Sequence, residues 1–290
     1  MNTTPLFAII GGSGLYDIPG LSRITEHNLE TPFGSPSSPI LEGKMAGQRI
    51  FFLARHGQGH PINPGQVNYR ANIYALKSLG VTRVISINAC GSLREDYKPG
   101  DLVVPDQIMD MTKNRVNTFF EDGFTAHVST ADPYCPDLSS HLVKALRSAG
   151  GTVHDQGAFV IIEGPRFSTR AESNTFRSWG MSIIGMTAAP EAFLAREAEM
   201  CYGAIAHITD YDVWHAREEE VSVEMVLKIL AQNTEHAKTA IAHLAENPPN
   251  EERSCSCRSA LEDAIITNPA VIPPATREKL DLLIAKYLEE

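Results

Sequence analysis

"YGAIAHITDYDVWHA", residues 202–216, runs small and apolar at its start and then delivers two carboxylates one residue apart, Asp210 and Asp212. The first part reads as a buried strand. Burying one ionised carboxylate is costly, and a second beside it raises the cost. Either both acids stand in water at the end of the strand, or a site there needs a carboxyl with raised proton affinity.

Working outward, the same kind of run recurs. "LFAII" (6–10), "RIFFLA" (49–54), "RVISINA" (83–89), "AFVIIEG" (158–164) and "SIIGM" (182–186) read as further buried strands. Between them lie helical patterns: "QVNYRANIYALKSLG" (66–80), closed by Gly80, "DLSSHLVKALRSAG" (137–150), with Asp137 expected as N-cap, "TRAESNTFRSWG", and "APEAFLAREAEM". From about 222 to 246 Val223, Val226, Leu227, Leu230, Ala237, Ile241 and Leu244 form an apolar stripe suited to packing on a sheet. Strands alternating with helices argue for an α/β fold with a central, mostly parallel sheet flanked by helices. "ENPPNEERSCSC" (246–257) has the prolines, charges and small polar residues of a linker, so one domain is expected over 1–245 and a helical C-terminal extension over 246–290.

The totals fit an ordinary globular chain of 290 residues, 43% hydrophobic and 21% charged. The net charge of -10 disfavours nucleic acid but leaves room for a small anion held by a few arginines and backbone N–H groups. The start of the chain lacks the basic region of a signal peptide, and no stretch approaches the ~20 apolar residues that span a bilayer. With five cysteines and no secreted disulfide pattern, the cytoplasm is the expected compartment. Cys90, Cys135 and Cys201 read as small core residues. Cys255-Ser256-Cys257 fits a strained local disulfide, a metal site completed from elsewhere, or two exposed thiols.

Ligands of open α/β sheets collect at the carboxyl ends of strands, and the unusual stretches of this chain fall there. "IIGGSGL" lets backbone N–H groups approach an anion, with Ser13 adding a hydroxyl. It lacks the third glycine of a dinucleotide fingerprint and the Lys of a P-loop. In "ARHGQGH" Arg55 offers a planar fork of donors matched to phosphate. His56 and His60 have a metal-pair spacing, but glycines between them make a loop, so no metal is expected. "NACGS" and "GMTAAPEA" bring Asn88, Ala89 and Thr187 to strand-to-loop crossings, where Thr187 also reads as an N-cap. "EGPRFSTRAES" adds Phe167, either plain core or a ring beside a base pocket.

These motifs, with "VNYRANIYALK" and "NACGSLREDYKPGD", occur in the order found in the purine nucleoside phosphorylase superfamily. They resemble its 5′-methylthioadenosine phosphorylase branch most closely, over roughly residues 6–245. The resemblance implies phosphorolysis of 5′-methylthioadenosine to adenine and 5-methylthioribose 1-phosphate, a step in purine and methionine salvage, without metal or organic cofactor. It makes Ser13, Arg55, His56, Asn88, Ala89 and Thr187 phosphate contacts, with Asn88 standing where many relatives carry threonine. Met186 is expected under the ribose, Asp210 and Asp212 at the purine, and Phe167 near the base. Ser168 and Val223 fall at positions tied to substrate choice. Val226, His60 and His127 are expected around the 5′ group, partly across a subunit boundary. The family implies a homotrimer or a dimer of trimers.

Asp210 is expected to act as the acid. An ordinary Asp, with pKa about 3.9, is ionised at neutral pH and cannot donate a hydrogen bond. Residues i and i+2 of a strand share a face, so Asp212 is expected to look into the same cleft. A carboxyl at position 210 suits a 6-amino purine, whereas an amide would suit a 6-oxo purine. The rival readings are a purine nucleoside or methylthioinosine phosphorylase of the same fold, a nicotinamide-dependent oxidoreductase, and a nucleoside-binding sensor without catalysis.

Overall fold

Continuous apolar runs become strands covered on both faces. The computed structural model of the protein describes residues 6–12, 20–215, 223–249 and 253–288, with positions 223–233 described in backbone only. Its strands are β1 (Phe7–Gly11), β2 (Ser22–His27), β3 (Ile40–Met45), β4 (Gln48–Ala54), β5 (Arg83–Ser92), β6 (Leu102–Val103), β7 (Gln107–Asp110), β8 (Val153–His154), β9 (Ala158–Ile161), β10 (Ile183–Gly185) and β11 (Cys201–Asp210). The helices are α1 (Tyr69–Ser78), α2 (Pro136–Ser148), α3 (Arg170–Ser178), α4 (Ala188–Glu197), α5 (Val223–Glu246) and α6 (Pro274–Ile284).

One sheet holds all the strands, in the order β2-β3-β4-β1-β5-β10-β9-β7, with β11, β6 and β8 branching from β5. The branch makes β5 the hub. Its first half runs parallel to β1 on one side and to β11 on the other, and its last residues, Gly91 and Ser92, switch to antiparallel pairing with β10. Alternation along β1 sends Ala8 and Ile10 to one face and Phe7 and Ile9 to the other. The first face packs on Ile73 and Leu76 of α1, Leu194 of α4 and Leu280 and Leu283 of α6. The second packs on Leu138, Leu142 and Leu146 of α2 and Ala237, Ile241 and Leu244 of α5. The helix-flanked, mostly parallel sheet is therefore the architecture that the sequence implies.

Three details differ from the sequence reading. Of the antiparallel edge, β2 and β3 have no clear sequence signature, because β2 is exposed along nearly all its length and β3 mixes glycine with charges. Val67 lies before α1 rather than in it; Asn68 caps the helix by accepting the Ala71 N–H. Gly80 closes that helix with φ +82, a backbone state that glycine enters without strain. Asp137 is not the cap of α2: Cys135 holds that position, tied by its N–H to the Tyr202 carbonyl, and Asp137 lies in the first turn. The C-terminal segment packs closely, with Cys257, Leu261, Ile272, Leu280, Leu283 and Ile284 buried against the sheet and its helices.

Candidate active site

β11 is buried from end to end, yet its last residues are polar. Between Ile208 and Asp210 its pairing with β5 slips, so Asp210 stands opposite Gly91. Such a bulge re-aims a side chain at the edge of a sheet. Asp210 is 7% exposed; its Oδ2 accepts from the Thr209 hydroxyl at 2.6 Å and its Oδ1 from the Asp212 N–H at 2.8 Å. Burial pushes its pKa up from 3.8 to about 6, against the pull of those two donors and with a smaller push from the Asp212 charge.

The strand ends at Asp210, so Asp212 does not reach the site by alternation. It sits in a turn with φ +50, and the two carboxylates come together because the chain folds back on itself. Asp212 is 8% exposed and raised above the usual aspartate range, chiefly by burial. Ser168 Oγ lies 3.0 Å from both of its oxygens. Gly91 passes between the acids: a Cβ there would lie 2.9 Å from Asp210 Oδ1 and 3.2 Å from the Asp212 Cβ.

From the opposite side a buried polar chain arrives at the same strand ends. Thr187 donates its hydroxyl to Asn88 Oδ1 at 2.9 Å, and Asn88 Nδ2 donates to Ser86 Oγ at 3.1 Å. Ser86 Oγ donates to Glu191 Oε1 at 2.7 Å. Glu191, fully buried, takes the Arg55 fork through Nε at 2.8 Å and Nη2 at 3.0 Å, and also the Tyr202 hydroxyl at 2.8 Å. Arg55 Nη1 donates further to the Ile87 carbonyl and Nη2 to Ser86 Oγ. Sequence reasoning aims the whole Arg55 fork at phosphate, whereas in the structure the fork grips Glu191. Of the five guanidinium hydrogens, one on Nη1 is left for an anion among the described residues.

His56 Nδ1 donates to the Ile62 carbonyl at 2.8 Å, which leaves Nε2 as an acceptor. Burial and the neighbouring Arg55 charge lower its pKa from 6.5 to about 4, so the ring is neutral near pH 7. His60 stacks on it with centroids 4.2 Å apart. Ala89 follows Asn88 on β5 and is half-buried. Thr187 holds the N-cap position of α4, but its side chain serves Asn88 rather than the helix.

Met186 is half-buried against Gly164, where φ is +65 and a Cβ would lie 2.6 Å from the Met186 sulfur. Only glycine meets both demands. Arg115 ties these loops together: its guanidinium donates to the carbonyls of Met186 at 2.7 Å, Ala189 at 2.6 Å and Glu163 at 2.7 Å, and pairs with the Glu163 carboxylate. Phe167, beside Ser168, is 43% exposed, so its ring is not core. His127 is exposed and joined by its N–H to the Ala264 carbonyl of the C-terminal segment. Ser13 and the side chains of Val223 and Val226 lie outside the described residues.

Sequence reasoning missed Glu191, Ser86, Tyr202 and Arg115. Glu191 reads as a first-turn helix acid in "TAAPEA", and nothing nearby in the chain announces its partner. The arrangement places a buried carboxyl of raised proton affinity at the end of β11 and a buried hydrogen-bonded network from Thr187 through Asn88 and Ser86 to Glu191 and Arg55 beside β5.

Comparison with known proteins finds relatives over nearly the whole chain. The profile of the phosphorylase superfamily matches residues 6–246. An S-methyl-5′-thioadenosine phosphorylase of Geobacter sulfurreducens is 52% identical over 284 residues, 98% of this chain and 99% of that one. One from Thermofilum pendens is 53% identical over 258 residues, 89% and 97% of the two chains. Among solved structures, a methylthioadenosine phosphorylase from an antarctic soil metagenomic library superposes with a TM-score of 0.89 at 44% identity, covering 97% of this chain and 99% of that one. That of Schistosoma mansoni in complex with adenine gives 0.82 at 35% identity, covering 97% and 98%.

Proposed function

The chain belongs to the phosphorylase superfamily, and from that premise we infer that it cleaves S-methyl-5′-thioadenosine with inorganic phosphate. The products are adenine and 5-methylthioribose 1-phosphate, and the enzyme is a pentosyltransferase of purine and methionine salvage. The observation that carries the chemistry is Asp210, a buried carboxyl that keeps its proton further up the pH scale than an ordinary aspartate.

In our reading the C1′–N9 bond breaks toward an oxocarbenium-like ribose. Asp210 gives its proton to N7 as negative charge gathers on the base, and accepts from the 6-amino group. Asp212, steadied by Ser168, holds the second edge of the purine site, and Phe167 covers the base when it binds. Phosphate sits at Ser13, Arg55, His56, Asn88, Ala89 and Thr187. His56, neutral with Nε2 free to accept, accepts a hydrogen bond from the P–OH of monohydrogen phosphate, which keeps its proton and turns its unprotonated oxygens toward C1′ on the face opposite the base. Met186 lies under the ribose, while Val223, Val226, His60 and, from a neighbouring protomer, His127 enclose the 5′-methylthio group. No organic cofactor or metal takes part in this scheme. The assembly proposed is a trimer, alone or paired, in the cytoplasm; among the described residues no helix is long and apolar enough to cross a membrane.

The direct test is incubation with S-methyl-5′-thioadenosine with and without phosphate. Free adenine is expected only with phosphate; release independent of phosphate, or none, contradicts the reading. Two further results are expected. At saturating phosphate, kcat/KM for the nucleoside falls as pH rises through about 6, where Asp210 loses its proton in the free protein, and this limb is missing from the Asp210→Asn profile. Gly91→Ala drives a methyl group to 2.9 Å from Asp210 Oδ1 and 3.1 Å from Ile184 Cγ2, and displacing the acid lowers kcat/KM by about 10²-fold in the same assay, alongside an overpacking cost of about 1–3 kcal/mol read from melting.

A further inference from the structure

Four of the five cysteines meet at one point. Cys201 opens β11 at the end opposite Asp210, about 30 Å away along the strand. Cys135 is the N-cap residue of α2, and its N–H is fixed to Tyr202, next to Cys201. Cys255, extended, and Cys257, in the 3-10 turn Ser256–Ser259, come from the C-terminal segment. All four are free thiols whose sulfurs lie within 4.8 Å of one another, with Cys201 and Cys255 at 3.4 Å. Three are buried and Cys255 is half-buried.

The spacing selects among the states open to such a group. Disulfides, one or two of them, need paired sulfurs about 2.05 Å apart, well inside the 3.4 Å between the Cys201 and Cys255 sulfurs. A tetrahedral ion with Zn–S bonds of about 2.3 Å spreads four sulfurs about 3.8 Å apart, inside the range observed. The surroundings also suit thiolates. Arg196 donates from Nη1 to the Cys257 sulfur at 3.2 Å and from Nη2 to Ser256 Oγ at 3.1 Å. Donors on sulfur offset the excess negative charge of a tetrathiolate centre.

We propose that Cys135, Cys201, Cys255 and Cys257 bind one zinc ion in a closed, four-sulfur structural site. On binding, each thiol yields its proton to solvent and each sulfur forms one bond to the metal. Four soft ligands in tetrahedral array leave no open position for substrate, so the ion serves structure. It clamps the start of the C-terminal extension to α2 and β11, four residues before Leu261 enters the core on the other face of the sheet.

The test is elemental analysis and thiol titration of the full chain purified under reducing conditions. About one zinc per chain is expected, with these four thiols unreactive until a chelator and denaturant release all five cysteines of the chain as free thiols. A Cys255→Ser/Cys257→Ser chain loses the zinc and melts at lower temperature while retaining phosphate-dependent adenine release. If that variant does not fold, chelation of the parent protein gives the same comparison of melting. A metal-free protein with five reactive thiols, iron in place of zinc, or a thiol count reduced by disulfides overturns the proposal.

Discussion

Asp210→Asn is expected to lower kcat/KM for S-methyl-5′-thioadenosine by about 10²–10⁴-fold, the range that general acid assistance supplies. The amide fits the space. Thr209 Oγ1 reaches the Cys90 carbonyl at 3.2 Å as well as Asp210 Oδ2, so it can turn its hydrogen to that carbonyl and accept from the new amide. The Asp212 N–H keeps its acceptor on the remaining oxygen. What is lost is the proton for N7 and the match to a 6-amino group, since an amide donates to a 6-oxo group. Preference for adenine-type over hypoxanthine-type nucleosides should therefore weaken, as competition between the two substrates would show. Stability moves the other way. A carboxyl with folded pKa about 6, against 3.8 in an ordinary setting, binds its proton more tightly in the folded chain. Its contribution is most favourable in acid and is lost as pH rises through about 6. The asparagine protein should melt above the parent at pH 8, and that advantage should vanish below about pH 4. A variant that is inactive and also less stable at pH 8 would point to a structural acid.

Glu191→Gln is expected to cost about 3–5 kcal/mol of stability, because it leaves the Arg55 charge buried without its counter-charge. Both side chains are within 3% of full burial, and Glu191 collects hydrogen bonds from Arg55, Ser86 and Tyr202. For a domain of this size the drop in melting temperature is about 10 °C. The effect on phosphate should exceed what unfolding explains, because Glu191 anchors Ser86, which orders Asn88 and, through it, Thr187. KM for phosphate should rise well below the melting temperature, with KM for the nucleoside changing less. The double variant Arg55→Met/Glu191→Leu separates the two contributions: with no stranded charge it regains much of the stability, but not the affinity for phosphate. Equal recovery of both would mean that the pair acts only through folding.

How much of this was open to sequence reasoning depends on the distance over which each signal acts. β1, β4, β5 and β11 are legible because burial on both faces demands unbroken apolar runs, and a short window contains the whole pattern. β2 and β3 are not, since the exposed edge strand β2 has no such demand and β3, beside it, interrupts its apolar run with Glu42, Gly43 and Lys44. Asp210 is legible because an acid at the end of an apolar run is locally anomalous. Asp212 is reached for a reason other than alternation, namely the turn at φ +50 that follows the strand. Glu191 and Arg115 act through partners far along the chain, and their neighbours suggest only helix capping and a polar loop. The cysteines show the same limit. Cys255 and Cys257 announce themselves by spacing, but Cys135 and Cys201 each look like a small apolar residue until the fold assembles all four.

The central claim is that a carboxyl at the end of β11 holds its proton into the range where the enzyme works. Carbon-13 titration of the Asp210 carboxyl in the free protein, assigned by its disappearance in Asp210→Asn, measures this directly. The account predicts a midpoint near 6, moving upward when adenine binds. A midpoint at the ordinary aspartate value, unmoved by adenine, would contradict it.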